Sequence, residues 1–341
     1  MPSIVIYIFR RIGHGLLVLV GLSILIFIIV RLLPGDPARL SLGQVATQEA
    51  IDRATEEMHL NDPIYIQYVF WIRGVFRGDL GKSLFTRRDV LEDIRKTFPA
   101  TLELTFWAVI FSIVIGQILG ILAARYHHTW VDNITRIIAY IGIVMPNYIL
   151  AILMLLFLSM TLGIFPGVGR LTPGMTPPSS ITGIYTFDAL ITLRFDVFLD
   201  ALWHVALPAI AAGWASLSQE SRITRTNMIT NMNSDYITSD RGFGFPQRII
   251  YLKYLLKPSI VPTISIMGPD LAAIMVNGFL VEHIFNWPGF SRYALQTVLH
   301  KDLNAVIAVV LIFGAIFTIV NLTTDLIIGI IDPRMRFRRG V

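Results

Sequence analysis

The chain has 341 residues, of which 54% are hydrophobic and 15% charged, and a mean hydropathy of +0.65. Soluble domains carry about 25% charged residues. A soluble protein of this composition would expose far too much apolar surface, so the chain reads as a polytopic membrane protein. The formal charge of +5 comes without a basic run interleaved with aromatics, which argues against a nucleic-acid groove. The absence of cysteine excludes disulfides, thiolate chemistry and cysteine metal sites.

The first apolar run covers residues 12–33, long enough to cross a hydrocarbon core of ~30 Å. A signal peptide would have a shorter apolar region and a small-residue cleavage site, so an uncleaved first span is expected. Residues 34–99 follow as an extracytoplasmic segment of mixed charge. "TQEAIDRATEEMHL" predicts a helix with Thr47 as N-cap, and "DPIYIQYVFWIRGVF" predicts a second, aromatic-rich one. Next comes "GDLGKS", whose Gly81-Lys82-Ser83 imitates the end of a phosphate-binding loop. Such a loop needs a glycine five residues before Gly81, and that position is Phe76. The stretch therefore reads as a turn in the outer segment, expected near the outer mouth.

Five more apolar runs fall at about 100–124, 134–163, 203–224, 259–283 and 304–331, giving six spans. Pro146, Pro208, Pro262 and Pro269 lie inside them. Proline is tolerated in a span where neighbouring helices satisfy the freed carbonyls, so a packed bundle is expected. The 164–202 loop, with "PGVGRLTPGMTPPSS", predicts little regular structure. The long loop 222–258 predicts a helix over 247–257, opened by Pro246 after Gly242 and Gly244 and ended by Pro258. That helix is both apolar and basic, which suits the membrane surface or a docking element for a partner. With a cytoplasmic N-terminus, the short cytoplasmic pieces hold fourteen Lys and Arg and the two short outer loops hold four. That bias places both termini in the cytoplasm.

Several segments, in order, carry a family resemblance: "RLLPGDPA", "GVFRGDLGKS", "FPATLEL", "DYITSDRGFGFPQRIIYLKYLLKPSIVP", "VEHIFNWPGFSRY" and "NLTTDLIIGIIDPRMR". Together they resemble the permeases of ABC importers of the dipeptide/oligopeptide/nickel branch. Two departures stand out. Thr238-Ser239-Asp240 occupy the place of the superfamily's Glu-Ala-Ala, and Phe290-Ser291 stand where Leu-Gly is usual.

The resemblance implies an all-α membrane protein of the type I ABC importer permease kind, with six transmembrane helices. Its parts are the tail and first span (1–33), the outer segment (34–99) and a five-span core (100–341) with a coupling loop at about 222–258. It implies a non-catalytic translocation subunit that imports peptides across the cytoplasmic membrane by alternating access; oligosaccharides and nickel are the alternatives within the branch. The implied partners are a second homologous permease, two cytoplasmic ATPases that bind the ATP, an extracytoplasmic solute-binding protein and membrane lipid. No cofactor belongs to the permease itself. The resemblance places Asp235, Tyr236, Asp240, Gly244, Phe245, Arg248 and Ile249 in the ATPase-coupling loop.

Within the spans, Asp270 and Asn277 are seven residues apart and share a helix face. They are candidates for the translocation pathway, where Asp270 would favour a peptide's amino-terminal charge. The alternative is an interhelical polar contact. Glu103 and Asp325 suit interfacial or structural positions. His127-His128 lack further ligands, so no metal site is expected. A stand-alone secondary transporter would show inverted repeats and coupling-ion sites, and would leave the basic loop unexplained. A membrane enzyme would need a catalytic run such as Gly-x-Ser-x-Gly or His-Glu-x-x-His, and there is none.

Overall fold

Where water is absent, a helix is the form in which one apolar segment satisfies its own backbone hydrogen bonds. The computed structural model describes residues 4–32, 37–42, 47–57 and 59–331. The expected exit "LPGD" after the first span (33–36) and the closing Asp-Pro-Arg with its basic tail (332–341) lie outside the described residues. In chain order the helices are α1 (Ile4–Leu32), α2 (Pro37–Leu42), α3 (Gln48–Glu57), α4 (Ile64–Phe76), α5 (Val90–Arg125), α6 (Trp130–Val144) and α7 (Asn147–Met154). They continue with α8 (Tyr185–Ile191), α9 (Phe195–Met232), α10 (Asp235–Gly242), α11 (Gln247–Ile249), α12 (Leu256–Asn277), α13 (Phe279–Ile284), α14 (Phe290–Leu299) and α15 (Leu303–Ile331). Wider π turns, Leu155–Thr161 and Ile250–Leu255, follow α7 and join α11 to α12. Among the described residues there is no strand, only an isolated antiparallel bridge between Lys82 and Asp89.

Among the described residues, five helical stretches are long and apolar enough to cross a membrane: α1, α5, α9, α15 and the run from α11 to α13. The sixth crossing is α6 with α7, which differs from the single span expected over 134–163. The pair is bent by 111°. The break falls where Pro146 pushes Met145 into extended backbone (φ −83°, ψ 122°). That the bent pair still crosses follows from its neighbours. Arg170, beyond the pair, binds Glu103 near the start of α5, whereas α6 begins just past Arg125 at its end. Glu103 and Arg125 are about 33 Å apart at 1.5 Å per residue, a full hydrocarbon thickness.

Two other expectations are corrected. Pro258 does not end a short helix: the helix begun at Gln247 runs through it to Asn277. The π turn just upstream shifts the hydrogen-bond ladder, which accommodates the proline's missing N–H. The 164–202 loop is also more ordered than its Pro and Gly content predicts, since it contains α8 and the start of α9 at Phe195. Side-chain hydrogen bonds described below hold it.

The chain divides into two compact units. One comprises residues 1–99 and 289–322, the other 100–288 and 323–341. In the first, α1 and α15 run antiparallel, with Gly15 against Thr318 and Gly314 against Leu22. Thr47 starts α3, its hydroxyl accepting the Ala50 N–H at 3.4 Å. Phe27 is buried against Tyr68 and Trp71 of α4, with ring centroids 5.3 and 5.5 Å away. The Gly-Lys-Ser stretch is a turn tied to the α14–α15 junction. The buried Ser83 hydroxyl donates to Asp302 at 2.5 Å, and Asn304 donates to the Lys82 carbonyl at 2.9 Å. Gly81 has φ +77°, and a Cβ there would sit 3.1 Å from Asn304, so the position needs glycine.

In the second unit α9 is the central helix, packed against α6, α7, α8 and α12. Small residues let it approach its neighbours closely. At Gly213 a Cβ would come within 2.6 Å of the Ala108 carbonyl oxygen of α5. Gly213→Val should therefore force α5 and α9 apart. Valine gains little helix propensity over glycine, so the clash decides the sign. The expected cost is about 1–3 kcal/mol, read as a lower melting temperature of the purified protein.

Candidate functional site: the 233–249 loop and the polar groups between the spans

The loop that follows α9 is built by its start and stop residues. Ser234, in extended backbone, precedes α10, and Asp235 lies in the first turn where a carboxylate meets the free N-terminal amides. The helix stops at Gly242. Gly244 then takes φ +76°, a conformation that disfavours any side chain, and Pro246 leads into α11. The Phe245 N–H donates to the Asp240 carbonyl at 3.2 Å, closing the turn. One side chain, Ile237, anchors the loop. It is fully buried with Met228 of α9, Ala124 of α5, and Ile250 and Leu255 of the π turn.

The remaining apolar side chains of the loop are left uncovered. Asp235, Tyr236, Gly244, Phe245, Arg248 and Ile249 are all exposed along one stretch, and Asp240 is half-buried. Phe243, which the sequence reasoning passed over, is 81% exposed, more than any other large apolar residue of the loop. Its signal was available: an aromatic between two glycines at a helix end.

Between the helices the polar groups fall into pairs. Thr224 of α9 meets Thr263 of α12 at 3.0 Å, and Asn231 donates to Ser259 at 3.1 Å. Asp132, in the first turn of α6, accepts a fork from Arg225 of α9, with Nε at 2.6 Å and Nη2 at 2.8 Å. Asp270 and Asn277 share α12 but not an environment: Asp270 is half-buried and Asn277 exposed. Near Asp270 lies Glu220 of α9, a span acid that the sequence shows but to which it gives no role, and which is 1% exposed. The two carboxyl groups are close enough for their charges to interact, and Ser112 lies 3.5 Å from Glu220. Glu220 Oε2 and Asp270 Oδ2 are buried with no hydrogen-bond partner among the described residues.

At the opposite end of this unit three distant segments converge. The Arg170 guanidinium holds Glu103 of α5 through Nε at 3.0 Å and Nη2 at 2.5 Å, and also donates to the Gly183 carbonyl at 3.0 Å. It lies 3.5 Å from the centre of the Tyr185 ring and 5.7 Å from that of Trp287. The other Glu103 oxygen accepts the Thr186 N–H at 2.7 Å, and Trp287 donates to the Ala100 carbonyl at 2.8 Å. Asp188 orders the adjacent loop by accepting from the Thr182 hydroxyl at 2.7 Å and from the N–H groups of residues 181–183. Burial pushes its carboxyl pKa up, but these hydrogen bonds outweigh it and hold the group below the usual carboxylate range. Their contribution is therefore present at neutral pH and is lost as pH falls through that lowered value.

Two protein-family models match the chain. "Binding-protein-dependent transport system inner membrane component" matches residues 116–337, and the N-terminal membrane-component model of the same systems matches 4–105. The chain belongs to this family of transport permeases. The dipeptide transport system permease protein of Alkalihalophilus pseudofirmus is 35% identical over 97% of this chain and 99% of its own length. The probable D,D-dipeptide transport system permease protein of Escherichia coli K12 is 36% identical over 94% of each chain. The glutathione transport system permease protein of Salmonella typhi is 30% identical over 97% of this chain and 99% of its own.

The permease is thus a multi-pass inner-membrane component of a binding-protein-dependent transport system. Among its described residues, no cluster of three or more His, Cys, Asp or Glu is placed to hold a metal ion. The Glu103–Arg170 pair should behave as a buried ion pair does. Arg170→Met alone leaves a buried carboxylate and should cost about 3–5 kcal/mol. The double variant with Glu103→Gln should recover much of this, because glutamine still accepts the Thr186 N–H and no charge remains. Thermal unfolding of the two variants checks both statements.

Proposed function

We propose that the permease moves peptides inward across the cytoplasmic membrane as one half of a heteromeric pore, driven by ATP hydrolysed on partner subunits. The observation that carries this reading is the uncovered apolar run Tyr236, Phe243, Phe245, Ile249 and Leu252 on a loop that is otherwise anchored. Large apolar groups left exposed at a water-facing helix turn fit a hydrophobic groove on a partner. The partners under this reading are two ATPases at the loop, a second related permease in the membrane and a solute-binding protein on the outer side. ATP is bound by the ATPases, and no cofactor belongs to this chain. The 233–249 loop and both termini face the cytoplasm, in line with the excess of Lys and Arg on that side. The peptide class follows the names of the relatives, and the same architecture would serve oligosaccharides or nickel.

The coupling element is Asp235 to Ile249. Tyr236, Gly244, Phe245 and Ile249 make the contacts and Phe243 joins them, while Asp235, Asp240 and Arg248 supply the polar edge. When the ATPases close, the loop moves and the spans alternate between inward and outward access. Asp270 and Asn277 line the pathway under this reading, with Asp270 attracting the peptide ammonium.

Two measurements test these assignments. Gly244→Trp should insert and assemble normally yet lose uptake coupled to ATP hydrolysis, because a bulky residue cannot adopt the turn. Normal uptake by that variant would refute the loop's role. Asp270→Asn should slow uptake of peptides with free amino groups more than that of amino-blocked peptides. An equal effect on both would assign Asp270 to bundle packing instead.

A further inference from the structure

The coupling loop joins α9 to the helical run that continues into α12, and α9 packs against α6 along its length. Arg225 lies two turns before the end of α9. Met228, one turn further, is buried in the cluster that anchors the loop. Any displacement of the loop therefore reaches Arg225 through one turn of helix and one packed side chain. Arg225 in turn grips Asp132 of α6 through two parallel hydrogen bonds of 2.6 and 2.8 Å, and Asp132 is 1% exposed. The same carboxylate accepts the His128 N–H at 3.2 Å, which fixes it to the turn that opens α6. Paired charges in a fork hold both distance and orientation, unlike a single contact between apolar side chains.

Further along, α9 is fastened once more to α6 and once to α7. Gly142 faces Ser218 and Trp214 with no room for a side chain. Asn147, just past the break at Pro146, donates to the Ala212 carbonyl at 3.3 Å. From Asp132 to Gly142 α6 and α9 thus form one lever, and the 111° break lies just past its far end.

We propose that Asp132 and Arg225 are the positioning pair through which loop motion is delivered to the third crossing and its break, so that α6 and α9 move as one body during transport. The proposal rests on the coupling role assigned to the loop above, and adds that the transmission leaves α9 at this ion pair. A staple with no part in coupling would affect stability and leave the yield of transport per ATP unchanged.

The chain contains no cysteine, so a pair of thiols placed here is addressable within the full transporter, provided its partners lack accessible thiols. The experiment uses the complete complex in proteoliposomes with a transported peptide. In it the double variant Asp132→Cys, Arg225→Cys is measured open, then bridged by a short bifunctional thiol reagent. Left open, it should move roughly tenfold fewer peptides per ATP hydrolysed than the unmodified protein. Bridged, it should return to within about threefold of the unmodified ratio, because the lever is whole again. A normal ratio in the open form overturns the proposal. So does a bridged form that is blocked or stays uncoupled, since α6 and α9 would then have to separate or the link would be irrelevant.

If the double variant does not assemble, Asp132→Asn and Arg225→Lys replace it. Each keeps the shape or the charge while losing the fork, and each should lower the ratio; an unchanged ratio in both refutes the pair's role. Failure of the underlying reading is separately visible, because Gly244→Trp would then keep normal uptake.

Discussion

A carboxylate enclosed by a helical bundle must find its partners inside the chain, and Glu103 shows how much structure that demands. One oxygen takes the Arg170 guanidinium and the other takes the Thr186 amide. Arg170 in turn lies against Tyr185 and Trp287 and binds a loop carbonyl. Water cannot substitute at a group this deeply buried, so each member depends on the others. The loop between the third and fourth crossings is ordered for this reason, although its composition is that of a flexible segment. The trace of the third crossing also follows, because Arg170 can reach Glu103 only if the bent pair α6–α7 has traversed the bilayer.

Three interruptions of regular helix in the second unit have a local chemical cause. Pro146 excludes helical geometry at Met145 and breaks the third crossing. Gly244 takes a left-handed backbone that ends the α10 turn and redirects the chain toward Pro246. The π turn at 250–255 admits Pro258 without ending the helix. Two of these lie at the loop proposed to receive ATPase motion, and the third lies at the far end of α6. Flexible points separated by rigid rods are what a lever requires. The straight parts transmit displacement because they are tightly packed, as the approach of Gly213 to Ala108 illustrates.

The polar groups within the spans sort into two kinds. Asp132 with Arg225, Thr224 with Thr263 and Asn231 with Ser259 are satisfied across helices and define which helices move together. Glu220 and Asp270 are different: each keeps a buried oxygen without a hydrogen-bond partner among the described residues. Such a site is costly in the ground state. Under the proposed function, its place is where a cationic group passes.

The sequence by itself determined the class of protein, the number of crossings, the family and the place of the exposed loop. These follow from apolar run length, charge asymmetry and short motifs, all of which are local in the chain. Thr47 and Gly244 were legible in the same way, because caps and left-handed turns depend on a residue and its immediate neighbours. Tertiary structure decided the rest. Whether Pro146 breaks a span and Pro258 does not depends on the helix register and packing around each. That Asp132 meets Arg225, that Glu103 meets Arg170, and that Glu220 rather than Asn277 keeps company with Asp270 are facts about residues tens of positions apart. No local pattern encodes such pairings. They arise when helices of fixed length pack side by side and each buried charge takes the partner that packing brings within reach.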